Sequence, residues 1–202
     1  MKSSSSLFCL LSTFLFFSTQ GNANDKVADW ISTEAQWKHL TDGKVILLEK
    51  TEGKNGEKSS HGATAAIMVP APVKEVWGVI DDKESAPDYI DSLVSAKVIE
   101  QTSKHSLIEQ KVKVGFNKVK YVVKHVPEAP HSVNFSLHSG DVKDIRGFWK
   151  FIPVNDGKNT LLIYSLSLKP GFPVPGFVIR DSLEESLPEA LVAVKGEVAR
   201  RS

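Results

Sequence analysis

Cysteine is nearly missing from this chain. Cys9 is the only one in 202 residues, and it lies inside an apolar stretch close to the N-terminus. Everything after that stretch is barred from disulfides, thiolate nucleophiles and cysteine metal sites, so its core must hold by packing. An excess of one charge is missing too, with 25 Lys+Arg against 24 Asp+Glu. Nucleic-acid binding draws on a strong basic excess to displace counterions, and the balance excludes nucleic acid as the main partner. The six histidines (39, 61, 105, 125, 131 and 138) never reach an HxxxH or HExxH spacing. No metal site is expected from them. There is no GxSxG elbow, no P-loop and no GxGxxG turn, so no catalytic residue and no cofactor are expected.

Long apolar runs are confined to the start. Lys2 and a serine run precede the apolar stretch 7–17, and Gly21 to Ala23 supply small residues before a cut. That is the layout of a secretory signal peptide over residues 1–23, too short to span a bilayer. The expected product is exported, periplasmic or secreted, after cleavage near Ala23.

The remainder suits one domain. Residues 24–60 read as an N-terminal helix bearing Trp30 and Trp37, a strand at 45–49 and a polar hairpin loop at 52–60. The strand 61–69 returns, and residues 61–200 form the main body, with 40–60 part of the same domain. Pro72 suits the first turn of a helix whose Val73, Val76, Trp77 and Ile80 share a face. A second short helix is expected at 85–93.

From Val94 the period changes to two. Val112 and Val114 alternate with Lys111 and Lys113, and Val119, Tyr121 and Val123 alternate with Lys118, Lys120 and Lys124. Val133, Phe135 and Leu137, then Trp149 and Phe151, then Leu162, Tyr164, Leu166 and Leu168 repeat the pattern. This predicts about five antiparallel strands with one wet and one apolar face. The last segment is a helix striped by Leu183, Leu187, Leu191, Val194 and Val198. Pro188 should kink it, or restart it through the capping box of "SLPE".

An apolar sheet face must be covered, and only the last helix has a stripe long enough. The expected fold class is α+β, a curved antiparallel sheet wrapped around a long C-terminal helix. Between them "LKPGFPVPGF" (168–177) is a stiff apolar connector, placed to form a lip over any pocket. Strand parity and the helix stripe together nominate the cavity lining. On the sheet these are Tyr121, Val133, Phe135, Trp149, Phe151, Tyr164 and Leu166. The connector adds Phe172 and Phe177, and the helix adds Leu183, Leu187 and Leu191. His125 shares the parity of Tyr121 but reads more simply as an exposed strand end before Pro127.

Four stretches, "VPAPVKEVWGVIDD", "PDYIDSLVSAKVIE", "GFWKFIPVNDGKNTLLIYSLSLKPGFPVPGF" and "SLPEALVAVK", resemble the START-like (SRPBCC) superfamily with its helix-grip fold. The closest likeness is to its polyketide cyclase/dehydrase and coenzyme Q-binding families, over roughly residues 60 to 200. The resemblance implies a hydrophobic small molecule or lipid held between sheet and helix, with transient membrane contact. It also leaves open a cyclase/dehydrase-type enzyme in which Tyr121, Tyr164 or His125 moves protons. An interaction module with a filled core is the third reading. A signal peptide departs from the cytoplasmic and mitochondrial branches, and argues against ring closure on a carrier protein and against ribosome contact.

Overall fold

The computed structural model describes residues 27–52, 61–114, 117–171 and 173–202. The expected signal peptide at 1–23, the expected hairpin loop from residue 53 to 60 and Phe172 lie outside the described residues.

Helix α1 (Glu34–Thr41) starts on a capping box. Thr33 Oγ1 accepts from the Gln36 backbone N–H, and Gln36 Oε1 accepts from that of Thr33, each at 3.2 Å. Strands β1 (Ile46–Glu52) and β2 (His61–Val69) pair antiparallel. Helix α2 (Val73–Asp81) follows, with Pro72 as its N-cap. The second expected helix, at 85–93, is a single 3₁₀ turn, Ala86–Asp88. The next strand begins at Leu93 and takes the remaining chain.

Six strands then run as a meander: β3 (Leu93–Gln101), β4 (Ser106–Val114), β5 (Asn117–Glu128), β6 (Ser132–Gly140), β7 (Val142–Val154) and β8 (Asn159–Pro170). The sequence suggested about five. The extra one is edge strand β3, where only Leu93 is buried, so its alternation is faint. The eight-stranded sheet has the order β1-β2-β8-β7-β6-β5-β4-β3. Register shifts interrupt four of its pairings, and such bulges bend and twist strands. The sheet is open, curved and antiparallel, and helix α3 (Gly176–Arg201) lies in its concavity.

Ala63 and Ala65 on β2 are buried in the same cluster as Leu187, Leu191 and Val194 of α3. Small side chains there let the helix lie close to the sheet. Pro188 neither kinks α3 into two helices nor restarts it, for one helix of 26 residues runs through it. An interior proline costs roughly 3 kcal/mol. Leu187 and Leu191 on either side are fully buried, and burying each stabilises by about 1.5–3 kcal/mol. Packing therefore outweighs the lost helix geometry.

The sheet's second face is not wet throughout. Leu161 and Ile163, whose parity opposes that of Leu162 and Tyr164, pack with Ile152, Val154, Met68, Leu40 and Ile31 in a second core. Trp30 covers it, 5.8 Å from Phe148 between ring centroids, with the Lys150 ammonium 5.3 Å above the indole. The N-terminal segment thus serves as a cover for the convex face of β1, β2, β8 and β7.

Candidate functional site

Beneath the first half of α3 the concave face is not filled. A cavity of about 360 Å3 lies between β4–β8, the segment joining α2 to β3, and α3. Its floor comes from unbroken parity on β5, where Val119, Tyr121, Val123 and His125 all face it. Next to them stand Phe135 of β6, Trp149 of β7, and Tyr164, Leu166 and Leu168 of β8.

These rings form a row. His125 and Phe135 are cross-strand partners with centroids 5.6 Å apart. Phe135 lies 6.2 Å from Tyr164, which stacks on its own cross-strand partner Trp149. Gly147 makes room for the row: a Cβ there would stand 2.0 Å from the Ser165 carbonyl oxygen and 2.5 Å from the Phe135 ring.

Helix α3 supplies the roof with Ile179, Ser182, Leu183, Ser186 and Ala190. The wall opposite comes from Ile80, Lys83, Ala86, Tyr89 and Ile90, and Pro170 and Val174 of the connector border one side. Lys113, Glu185 and Glu189 are lining residues exposed to solvent, and they mark the mouth.

Of the residues nominated from sequence, Tyr121, Phe135, Trp149, Tyr164, Leu166 and Leu183 meet around this cavity. Val133, Phe151, Leu187 and Leu191 do not, and are packed in solid core instead. Phe151 has the right parity, but Trp77 covers it at 5.1 Å between centroids. Leu187 and Leu191 lie on the stripe of α3 that meets β2. Phe177 points outward, 58% exposed. The connector's Gly171 is needed for closeness rather than for a bend, since a Cβ would meet the Asp141 carbonyl oxygen at 2.2 Å.

His125 is not an exposed strand end. It is 8% exposed, and its Nδ1 is buried with no hydrogen-bond partner among the described residues. Burial, and secondarily the charge of Lys83, push its pKa down to about 4, against a weaker opposing pull from Asp81. The imidazole is neutral at ordinary pH. Burial raises both Tyr121 and Tyr164 well above the usual phenol value, and no described residue hydrogen-bonds either hydroxyl. Tyr89 donates to the Val79 carbonyl at 3.3 Å, and burial pushes it up to about 12.

Sequence reasoning passed over Lys83 altogether. Its side chain is only 12% exposed, and its ammonium donates to the Asp81 carboxylate at 2.7 Å and to the Asp81 carbonyl at 3.0 Å. The segment carrying Lys83 is tied to the end of α3. Arg201 meets Asp82 at 3.0 Å and donates to Ser85 Oγ at 3.0 Å. Glu197 accepts from both Arg200 and Arg201, and those bonds hold its carboxyl down at about 2. Among the described residues no group of three His, Cys, Asp or Glu is placed to hold a metal ion, and no helix is long and apolar enough to cross a membrane.

Known structures share this architecture. An aromatase/cyclase from Streptomyces superposes with a TM-score of 0.64 at 16% identity, over 70% of this chain and 95% of that one. A START superfamily protein from Mycobacterium smegmatis gives 0.63 at 16%, over 70% and 99%. A STAR-related lipid transfer protein from Xanthomonas axonopodis gives 0.63 at 14%, over 77% and 98%. At such identities the likeness is one of fold. No curated protein sequence matches the chain. Residues 69–195, from the end of β2 through most of α3, match the family described as polyketide cyclase / dehydrase and lipid transport. The chain belongs to that family, and it shares the fold of the START-like structures.

Proposed function

We propose that this protein is an exported carrier that holds one small hydrophobic molecule in the cavity and releases it unchanged. The single observation that supports this most is the cavity itself, an apolar space of about 360 Å3 bounded by sheet, helix and connector. Ligand pockets typically occupy about 300–1,000 Å3, so the cavity falls at the small end. Export rests on the leader over residues 1–23.

One observation favours a second reading, an enzyme of the cyclase/dehydrase type. His125 lines the cavity, and no described residue hydrogen-bonds its ring, as a proton-moving group would require. The acid–base values weigh against it. General acid–base catalysis works best with pKa values near the operating pH. His125 is held near 4, and both cavity tyrosines are raised away from neutrality.

Native mass spectrometry of protein recovered from its exporting host tests the proposal. A single small adduct, extracted chemically unmodified after repeated loading, is the expected result. Steady conversion of the extracted compound into a second species supports the enzyme, and a chain that never carries an adduct contradicts both.

A further inference from the structure

Among the polar groups of the cavity lining, Lys83 and His125 stand out because their donors are underused. Lys83 carries three N–H donors, of which Asp81 takes two, through its carboxylate and its carbonyl. No described residue takes the third. His125 lies within the electrostatic reach of Lys83 and Asp81, and its Nδ1 is buried without a partner. A buried polar atom left unmade costs its desolvation with nothing in return. Lys83 and the His125 ring line the cavity; Nδ1 is closed off within the fold, and the other ring nitrogen, Nε2, is the one a ligand atom can meet together with the spare Lys83 N–H.

We infer that the Lys83–His125 end of the cavity binds an acceptor oxygen of the carbonyl class, carried by a small apolar ligand whose body lies along Phe135, Tyr164 and Trp149. This deepens the carrier proposal and rests on it. The donors decide the class. The free Lys83 N–H can only donate, and the neutral His125 ring donates from one nitrogen. An amine head would bring a second cation to Lys83. A bare hydrocarbon leaves both donors unsatisfied. A carbonyl or carboxylate oxygen offers two lone pairs and takes both. Ketone and carboxylic acid share this chemistry and differ in charge. Lys83 is already matched by Asp81, so the site does not demand an anion.

The test is displacement of the apolar fluorophore phenylnaphthylamine by four probes of matched length: decanoic acid, methyl nonyl ketone, decylamine and dodecane. The acid, the ketone, or both should displace it about tenfold better than dodecane, as one or two hydrogen bonds allow, and decylamine should be worst. The ratio of acid to ketone reports which source the site prefers. In Lys83→Met and His125→Phe the advantage of the acid and the ketone over dodecane should shrink several-fold. If His125→Phe does not fold, Lys83→Met alone carries the comparison. The infrared C=O stretch of bound methyl nonyl ketone should fall below its value in hexane, and should return toward it in Lys83→Met. If all four probes displace the fluorophore equally and neither variant changes that, the Lys83–His125 end binds nothing, though the carrier proposal stands. If the fluorophore and every probe fail to bind at all, the carrier proposal falls and takes this inference with it.

Discussion

Trp149 of β7 and Tyr164 of β8 stack with ring centroids 3.8 Å apart and 2° between their planes. They are directly opposed in the ladder, which places both rings on the concave face beside the cavity. At that separation the rings lie nearly face to face, the less favoured aromatic geometry, so the pair stabilises chiefly through the apolar area both rings bury. The pair therefore serves both as floor and as a brace between two strands. Trp149→Ala should cost about 3–5 kcal/mol, read as a lower denaturant midpoint at unchanged slope. Tyr164→Phe should change stability by less than about 1 kcal/mol, because no described residue bonds the lost hydroxyl.

His125 gives a pH dependence of definite sign. Its pKa is about 4 in the folded protein against the ordinary 6.5, so the unfolded chain takes up the proton first as pH falls. Stability from keeping the ring neutral is complete above 6.5 and is lost progressively down to about 4, by about 3 kcal/mol. The Glu197 contribution has a different window, for its carboxyl is lowered from 4.5 to about 2 and its share is lost only below 4.5. Urea melts at steps between pH 7 and pH 4 should show the fall, and His125→Phe should flatten it.

Arg201 ties α3 to the segment that walls the cavity, through Asp82 and Ser85. Arg201→Ala should leave the sheet intact and loosen that segment. Hydrogen exchange should speed up at residues 83–90 and remain slow in β7 and β8. Uniform acceleration across the sheet would show that the clamp supports the whole fold.

The connector carries separable demands. Gly171→Ala forces a Cβ against the Asp141 carbonyl, a backbone clash at the β7–β8 end, and should lower the melting temperature clearly. Replacing Pro173 and Pro175 together by glycine acts through the unfolded chain and should cost about 1–2 kcal/mol. Ligand retention should fall further in the proline variant, since the loosened border must be ordered at each binding event. Normal retention in a strongly destabilised proline variant would make the connector scaffolding alone.

The alternation of Val119, Tyr121 and Val123 made β5 legible from sequence, and the inward position of Tyr121 followed from period alone. The resemblance supplied the helix-grip frame. Less was legible where register breaks. A shift between Val142 and Asp144 puts both Val142 and Ile145 at the cavity, which no strict alternation forecasts. The roof was misread because a search for large apolar residues finds Leu187 and Leu191, whereas Ser182, Ser186 and Ala190 leave the space. Lys83 and Tyr89 were invisible for another reason. Their segment links β2 to the far edge strand β3, and only the sheet order shows that it crosses the concave face.

The central claim is that the ligand sits between α3 and the sheet, and filling that space tests it most directly. Ala190 is 6% exposed and roofs the cavity, so Ala190→Phe places a ring where the ligand would lie. Titration with phenylnaphthylamine should show one saturable site in the unaltered protein and none in the variant, with both cooperatively folded by circular dichroism. A folded Ala190→Phe variant that binds the fluorophore with unaltered affinity and stoichiometry would place binding elsewhere and contradict the account.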